Sequence, residues 1–148
     1  MNKTKIMTEI LKSIEKQKPR NVLIGFDKNY VVVGDMQHLY RIHESEFCLD
    51  YKKLLSEGVR DITTISKLFN DEMGAKEAIA TGVYKEKEKK KGTLKELKCG
   101  DDLIYIDIEY LKNFDKDCTF KGTGSKKPVY VYEYEILAGL ILPVVIKN

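Results

Sequence analysis

The C-terminal stretch from Lys126 to Ile146, KKPVYVYEYEILAGLILPVVI, constrains the fold more than any other part of the chain. Side chains alternate over 129–136, with tyrosines on one face and valines and glutamates on the other, which predicts a two-faced strand. The Ala138-Gly139 pair predicts a break, and the apolar run 140–146 predicts a second, more thoroughly buried strand. Because no other segment carries as much apolar material, we expect the core to form against these two strands.

Composition limits the class of protein. A chain of 148 residues is long enough for one domain, and its 26 basic residues nearly balance its 23 acidic ones, so overall charge does not mark it as a strong nucleic-acid binder. Cys48, Cys99 and Cys118 form no CxxC pair, which is typical of free thiols in a reducing compartment. The N-terminus lacks a secretory signal, and the C-terminal apolar run is too short to span a bilayer. We therefore expect a cytoplasmic protein that makes no membrane contact.

The first third of the chain predicts one helix, a run of short strands and a second, shorter helix. The apolar spacing indicates a helix over 4–17 with Thr4 as its N-cap, and Pro19 prevents its continuation. Turn residues separate predicted strands at 22–26, 30–33 and 38–43, with a fourth strand at 45–49. Asp50 predicts the cap of a helix over 51–57 that closes at Gly58.

The middle of the chain is predicted to be mainly helical and charged, and the last third to be mainly strands. A helix over 61–73, a further helical turn over 75–80 and a solvated charged connection over 83–92 are expected in the middle. The last third predicts a strand at 103–108, a short helix at 109–114, a strand at 118–121 and the two C-terminal strands.

Both ends of the chain therefore show the same order of elements, a helix followed by three strands. This weak repeat predicts an α+β fold of two α-β-β-β-like halves that form antiparallel sheets with helices on one side. The halves cover about 1–58 and 100–148 of a single domain over 1–148, and a helical and charged connection spans 59–99.

At this point the sequence resembles a family. The stretch from Tyr105 to Ile146 is similar to the closing half of a domain of the bacterial DNA sliding clamps, the polymerase processivity factors, with Tyr110-Leu111 matching the helix and Leu142-Pro143-Val144 matching the apolar-Pro-apolar tail. The N-terminal helix followed by NVLIGFDKNYVVVGD is similar to the opening half. The resemblance implies a clamp-like, non-enzymatic, DNA-associated scaffold or processivity-type factor that forms a homo-oligomer, and a phage or mobile-element origin suits so small a version.

The resemblance also implies two sites. Helices that line a clamp present cations to the phosphate backbone of duplex DNA, and the candidates are Lys5, Lys12, Lys16 and Arg20. The alternative is that these residues form the solvated face of an amphipathic helix. Clamps also hold a polymerase-like protein or peptide in an apolar groove, for which the residues that match by position are Leu140, Leu142, Pro143 and Val144. Simple packing of these four residues in the core is the alternative.

Two alternative functions stay open at this stage. One is a protein-interaction module of a phage or mobile element that does not bind DNA. The other is a small metal-dependent nuclease that uses Asp107 and Glu109 from an acidic cluster with Asp101 and Asp102.

The sequence shows no catalytic signature, and we predict no resident metal and no cofactor. His38 and His43 lie five residues apart on a predicted strand, so they face opposite sides and do not jointly ligate a metal. The segment GTGSK at 122–126 has the wrong spacing for a phosphate-binding loop and is interpreted as a turn.

Overall fold

The computed structural model describes residues 1–146, and over that range the chain is an α+β protein with two α-helices and ten strands, as the sequence predicts. The chain divides into two compact units, Met1–Asn70 and Asp71–Asn148. The prediction of a single domain over 1–148 stays a prediction. Within the described range, no helix is both long and apolar enough to span a membrane.

Unit 1 is an antiparallel meander covered by helices. Its helices are α1 (Lys3–Glu15) and α2 (Tyr51–Ser56). Its strands are β1 (Leu23–Asp27), β2 (Tyr30–Gly34), β3 (His38–His43) and β4 (Arg60–Asp61), in the order β4-β1-β2-β3, with β4 parallel to β1. The predicted first helix, three strands and second helix are thus confirmed.

The helix ends in unit 1 follow capping chemistry. The Asp50 carboxylate accepts a hydrogen bond from the Lys53 amide and caps α2, as predicted, and Gly58 follows with a φ of 103°. The first helix begins earlier than predicted, because the side chain of Asn2, instead of Thr4, accepts the capping bond from the Lys5 amide. Asparagine is among the best N-cap residues, so its position decides where α1 begins.

The core of unit 1 forms where α1 and the 3-10 segment Ile65–Phe69 pack on the meander. Helix α1 buries Ile6, Met7 and Ile10. A Cβ on Gly25 of β1 would lie 2.5 Å from Ile65 Cγ2, so only glycine permits this close approach.

A buried ion pair joins two strands of the same meander. Arg41 Nε of β3 donates to Asp27 Oδ2 of β1 at 2.9 Å, and the two side chains are only 10% and 12% exposed. The Arg41 guanidinium also lies 3.6 Å from the ring centroid of Tyr30. Because little water reaches these two charges, each one is stabilised strongly by the other.

Unit 2 is an antiparallel sheet of six strands. They are β5 (Lys76–Glu86), β6 (Thr93–Cys99), β7 (Asp102–Asp107), β8 (Thr119–Gly122), β9 (Val129–Glu133) and β10 (Ile136–Ile141). Their order is β10-β9-β8-β5-β6-β7. Residues 129–132 of β9 are buried on both faces, so the stretch predicted to organise the core does lie in it.

The middle of the chain differs most from the prediction. No strand forms over the predicted range 45–49. The start of this range belongs to the 3-10 turn Glu44–Glu46 instead. The predicted helix at 61–73 is replaced by the 3-10 segments Ile65–Phe69 and Glu72–Gly74, because threonine, asparagine and aspartate in this stretch favour turns over α-helix. The predicted helical turn at 75–80 belongs to strand β5, and the segment 59–99, predicted to be a connection, contains strands β5 and β6.

Strand β5 was predicted as helix and connection because its own sequence lacks the pattern of a strand. Ala78 is its one buried residue, so the strand shows no alternation between apolar and polar positions. Backbone pairing with β6 and β8 holds it in place instead.

The C-terminal hairpin turns earlier than predicted. The chain reverses at Tyr134 and Glu135, whose φ angles are 52° and 65°, so Ile136 begins β10 instead of ending β9. The predicted break at Ala138-Gly139 is a bulge within β10, and β10 ends at Ile141, so residues 142–146 are not a strand. The predicted helix at 109–114 is a 3-10 turn, Ile108–Leu111, so the second half of the repeat keeps its three strands but not its helix.

Candidate functional site

The predicted DNA-binding residues form a basic stripe on α1 and its continuation. Lys5, Lys12, Lys16 and Arg20 are all exposed, and Arg20 lies in the 3-10 turn Pro19–Asn21 just beyond the helix. The spacing of seven and four residues puts the three lysines on one side of the helix, opposite the buried Ile6–Ile10 side. With about 1.5 Å of rise per residue, their backbone positions span roughly 16 Å.

Neighbouring carboxylates do not neutralise this basic stripe. Within the described part of the chain, none of its four cations lies within ion-pairing distance of a carboxylate. Lys3, which is outside the stripe, pairs with Glu46. Glu9 is half-buried and lines a cavity of about 160 Å³ that α1 shares with β2 and β3. The stripe is therefore a line of solvated positive charge that an anionic polymer could contact.

The structure places the four residues predicted to form a partner-binding groove in different environments. Leu140 lies in β10 and is 2% exposed, so its side chain packs in the core and offers almost no surface to a partner. Leu142 and Pro143 are half-buried and do not line the groove that contains Val144. Of the four predicted residues, Val144 is the one that does, and its amide donates to the Tyr105 carbonyl at 2.8 Å.

The groove beside Val144 lies within unit 2 and has a volume of about 620 Å³. Its apolar lining comes from the C-terminal segment 144–146 and from Leu94 of β6, and its charged lining comes from residues 85–90, where β5 ends. Lys87 in this charged segment forms an ion pair with the buried Asp107 of β7. An apolar surface with a charged border is typical of a site for a peptide or another protein.

Sequence reasoning missed most of these lining residues because it assigned 59–99 to a connection. The sequence TLKELKC at 93–99 carries no clear strand signal, because Leu94 and Leu97 are three positions apart instead of two. Val145 and Ile146 were missed as lining residues because the sequence predicts that they lie in a buried strand.

The acidic cluster does not form a metal centre in the structure. Asp107 accepts a hydrogen bond from the Glu109 amide at 2.9 Å, which caps the 3-10 turn, and it is paired with Lys87. Glu109 is exposed, lies outside the strand and pairs with Lys112 at 2.9 Å. Among residues 1–146, no group of three or more His, Cys, Asp or Glu side chains could hold a metal ion. No observation therefore favours the nuclease alternative.

The two histidines serve local structure. His38 Nδ1 lies 3.0 Å from Asp35 Oδ1. Burial acts to raise the pKa of Asp35, but hydrogen bonds and the charge from His38, together with two backbone amides, outweigh it and lower that pKa. His43 accepts a hydrogen bond from the Ser45 amide and caps a 3-10 turn.

A polar network lies on one face of β5, β6 and β7. Thr81 and Tyr105 each donate to the Glu96 carboxylate at 2.8 Å. These two hydrogen bonds lower the pKa of Glu96, and the positive charge of Lys85 acts in the same direction. Because each carboxylate oxygen of Glu96 accepts a hydrogen bond from a neighbouring strand, the network links β5, β6 and β7.

No protein-family model, curated protein or solved structure matches this chain. The resemblance to the sliding clamps therefore depends on the residues quoted for it and stays a prediction.

Proposed function

We propose that this protein is a non-enzymatic, clamp-like scaffold that associates with duplex DNA through the basic stripe and binds a partner protein through the groove at Val144. The observation that supports the proposal is the stripe itself, in which three exposed lysines lie along one side of α1, Arg20 follows just beyond it, and no carboxylate of residues 1–146 lies within ion-pairing distance of them. Charge of this kind contributes most of the sequence-independent affinity of proteins for DNA.

The composition of the stripe favours phosphate contact over base reading. Three of its four cations are lysines, which act as mobile point charges toward phosphate. Bases are usually read by bidentate arginine, asparagine or glutamine, and the line from Lys5 to Lys16 contains none of these residues. We therefore expect binding that depends on salt concentration and not on sequence.

The groove supports the second half of the proposal. Its apolar lining, Leu94 and 144–146, would take apolar side chains of a peptide, and the charged segment 85–90 would fix the orientation of that peptide. A polymerase-like protein is the partner that the clamp resemblance implies. The same resemblance implies a homo-oligomer, which light scattering after gel filtration under reducing conditions would measure.

The test of DNA association compares two double variants. Lys12→Ala with Lys16→Ala removes two neighbouring charges of the stripe. If both lysines contact phosphate, the slope of log affinity against log salt concentration should become shallower by about 1.8, because each contact contributes about 0.9. Fluorescence anisotropy with a labelled duplex of mixed sequence, repeated over a salt series, measures this slope.

The matched control is Lys126→Ala with Lys127→Ala, which makes the same change in net charge at exposed positions of unit 2. We expect the control to keep the wild-type slope. Equal effects of the two double variants would show that only net charge matters, and an unchanged slope in the stripe variant would refute the proposed DNA contact.

A protein-interaction module without DNA binding is the second candidate, and the groove is the observation that favours it. It predicts no salt-dependent association with duplex. It also predicts that Val145→Glu, at an exposed position of the groove, abolishes partner capture while the basic stripe variant captures normally.

A further inference from the structure

A second cavity in unit 2, of about 310 Å³, lies at the turn between β7 and β8 and is distinct from the groove at Val144. Phe114 and Phe120 contribute buried aromatic rings to it, and Leu111 and Ile108 add aliphatic surface. The volume is at the lower end of the range for small-molecule sites and is too small for a protein segment of several residues.

Lys95 of β6 gives this cavity its chemical character. The residue is half-buried, and its ammonium lies 5.8 Å from the ring centroid of Phe120. Within residues 1–146 the Lys95 ammonium has no carboxylate in ion-pairing distance. A half-buried cation next to aromatic rings favours an anionic group brought to it by a ligand.

The other charged side chains of the cavity define where such an anion would lie. Lys112 is paired with Glu109, and Lys116 is exposed. Burial raises the pKa of the Cys118 thiol to about 11, the charges of Glu133 and Asp115 add to the rise, and the charge of Lys95 opposes it. Because the Asp115 carboxylate also lines the cavity, a monoanion is best placed at Lys95 and away from Asp115.

We propose that this cavity binds a small organic monoanion, an aryl or alkyl carboxylate, with its carboxylate on Lys95 and its apolar body against Phe114 and Phe120. The proposal is independent of the DNA and partner sites. It needs no chemical step, since the ligand is bound and not transformed.

The experiment uses two probes of the same shape, naphthalene-2-carboxylate and the neutral naphthalene-2-carboxamide. Each is titrated into the full ¹⁵N-labelled chain and followed by amide chemical shifts. We expect the carboxylate to shift the amides of Phe114, Cys118 and Phe120 and to bind at least about tenfold more tightly than the carboxamide, because only the carboxylate forms a charge-assisted bond to Lys95.

Two variants of the same strand separate the cavity from general surface charge. Lys95→Met keeps the apolar stem of the side chain and removes the charge, so it should raise the carboxylate Kd about tenfold and leave the carboxamide Kd unchanged. Lys98→Met makes the same change at an exposed residue on the other face of β6 and should leave both values unchanged.

Three results would overturn the proposal. They are equal binding of the two probes by the wild-type chain, shifts confined to amides outside the cavity, and equal losses in the two methionine variants. If Lys95→Met does not fold, Ile108→Trp decides in its place. Ile108 lines the cavity and is 39% exposed, so a bulkier ring there should fill the cavity and abolish binding of both probes. Unchanged carboxylate binding by a folded Ile108→Trp chain would also overturn the proposal.

Discussion

Removing the Asp27 carboxylate should destabilise unit 1 far more than removing an exposed carboxylate of the same unit. In Asp27→Ala, the Arg41 guanidinium stays in a site where its side chain is only 10% exposed and loses the acceptor that lies 2.9 Å from its Nε. Breaking a buried ion pair by removing one partner costs about 3–5 kcal/mol, because the remaining buried charge loses its counter-ion.

The lower end of that range is the better expectation here. The guanidinium keeps its contact with the Tyr30 ring at 3.6 Å, and a desolvated cation–π contact is worth up to about 2 kcal/mol. We therefore expect the free energy of unfolding to fall by about 3 kcal/mol. Asp27→Ala with Arg41→Met should recover part of that loss, because the double variant no longer buries a charge.

Native-state hydrogen exchange of the Val32 and Val33 amides is the assay, since both residues lie in the centre of the β1–β2–β3 meander and are fully buried. A loss of about 3 kcal/mol corresponds to exchange that is at least about a hundredfold faster, provided that these amides exchange through opening of the meander.

The matched control is Glu46→Ala, which breaks the ion pair with Lys3. The side chains of that pair are 51% and 37% exposed, so water compensates each charge and the exchange rates should barely change. If Asp27→Ala and Glu46→Ala change the rates equally, or if the double variant is no better than Asp27→Ala, the reasoning from burial is refuted.

Three further predictions follow from local chemistry in unit 2. Replacing Tyr134 and Glu135 by Asn-Gly should raise the free energy of unfolding in urea by about 1 kcal/mol, because both residues have positive φ in the hairpin turn; a fall would contradict the turn. The pKa of Glu96 is lowered in the folded state, so its stabilising effect is present above its ordinary value of 4.5 and is lost as pH falls through the folded value. Thr81→Val should therefore reduce stability at pH 7 and converge with the wild type in an acid titration; a constant difference at all pH values would refute this. Burial raises the pKa of Cys118 to about 11 against an ordinary 9.0, so this thiol should react with iodoacetamide at least about tenfold more slowly than a cysteine in a short peptide, as measured by peptide mass mapping.

The candidate sites show how far sequence reasoning reached. The basic stripe could be predicted, because the spacing that buries Ile6 and Ile10 also determines which side of α1 faces the solvent. The groove could not, because Leu94 and Val145 are far apart in sequence and only folding brings them to one surface. The cavity at Lys95 likewise depends on the contact between β6 and the turn before β8.

The sequence by itself determined the elements whose stability comes from their own pattern. Helix α1 and the meander β1–β3 follow from apolar periodicity and turn residues, and local side-chain chemistry acts over a few residues without knowledge of the rest of the chain. Tertiary structure alone decided β5 and β6 and the early turn at Tyr134. Strand β5 is almost entirely exposed, and its backbone groups find their partners in β6 and β8, up to 46 positions away at the Lys76–Gly122 pair. Such pairing depends on distant backbone hydrogen bonds, and these leave no period in the sequence.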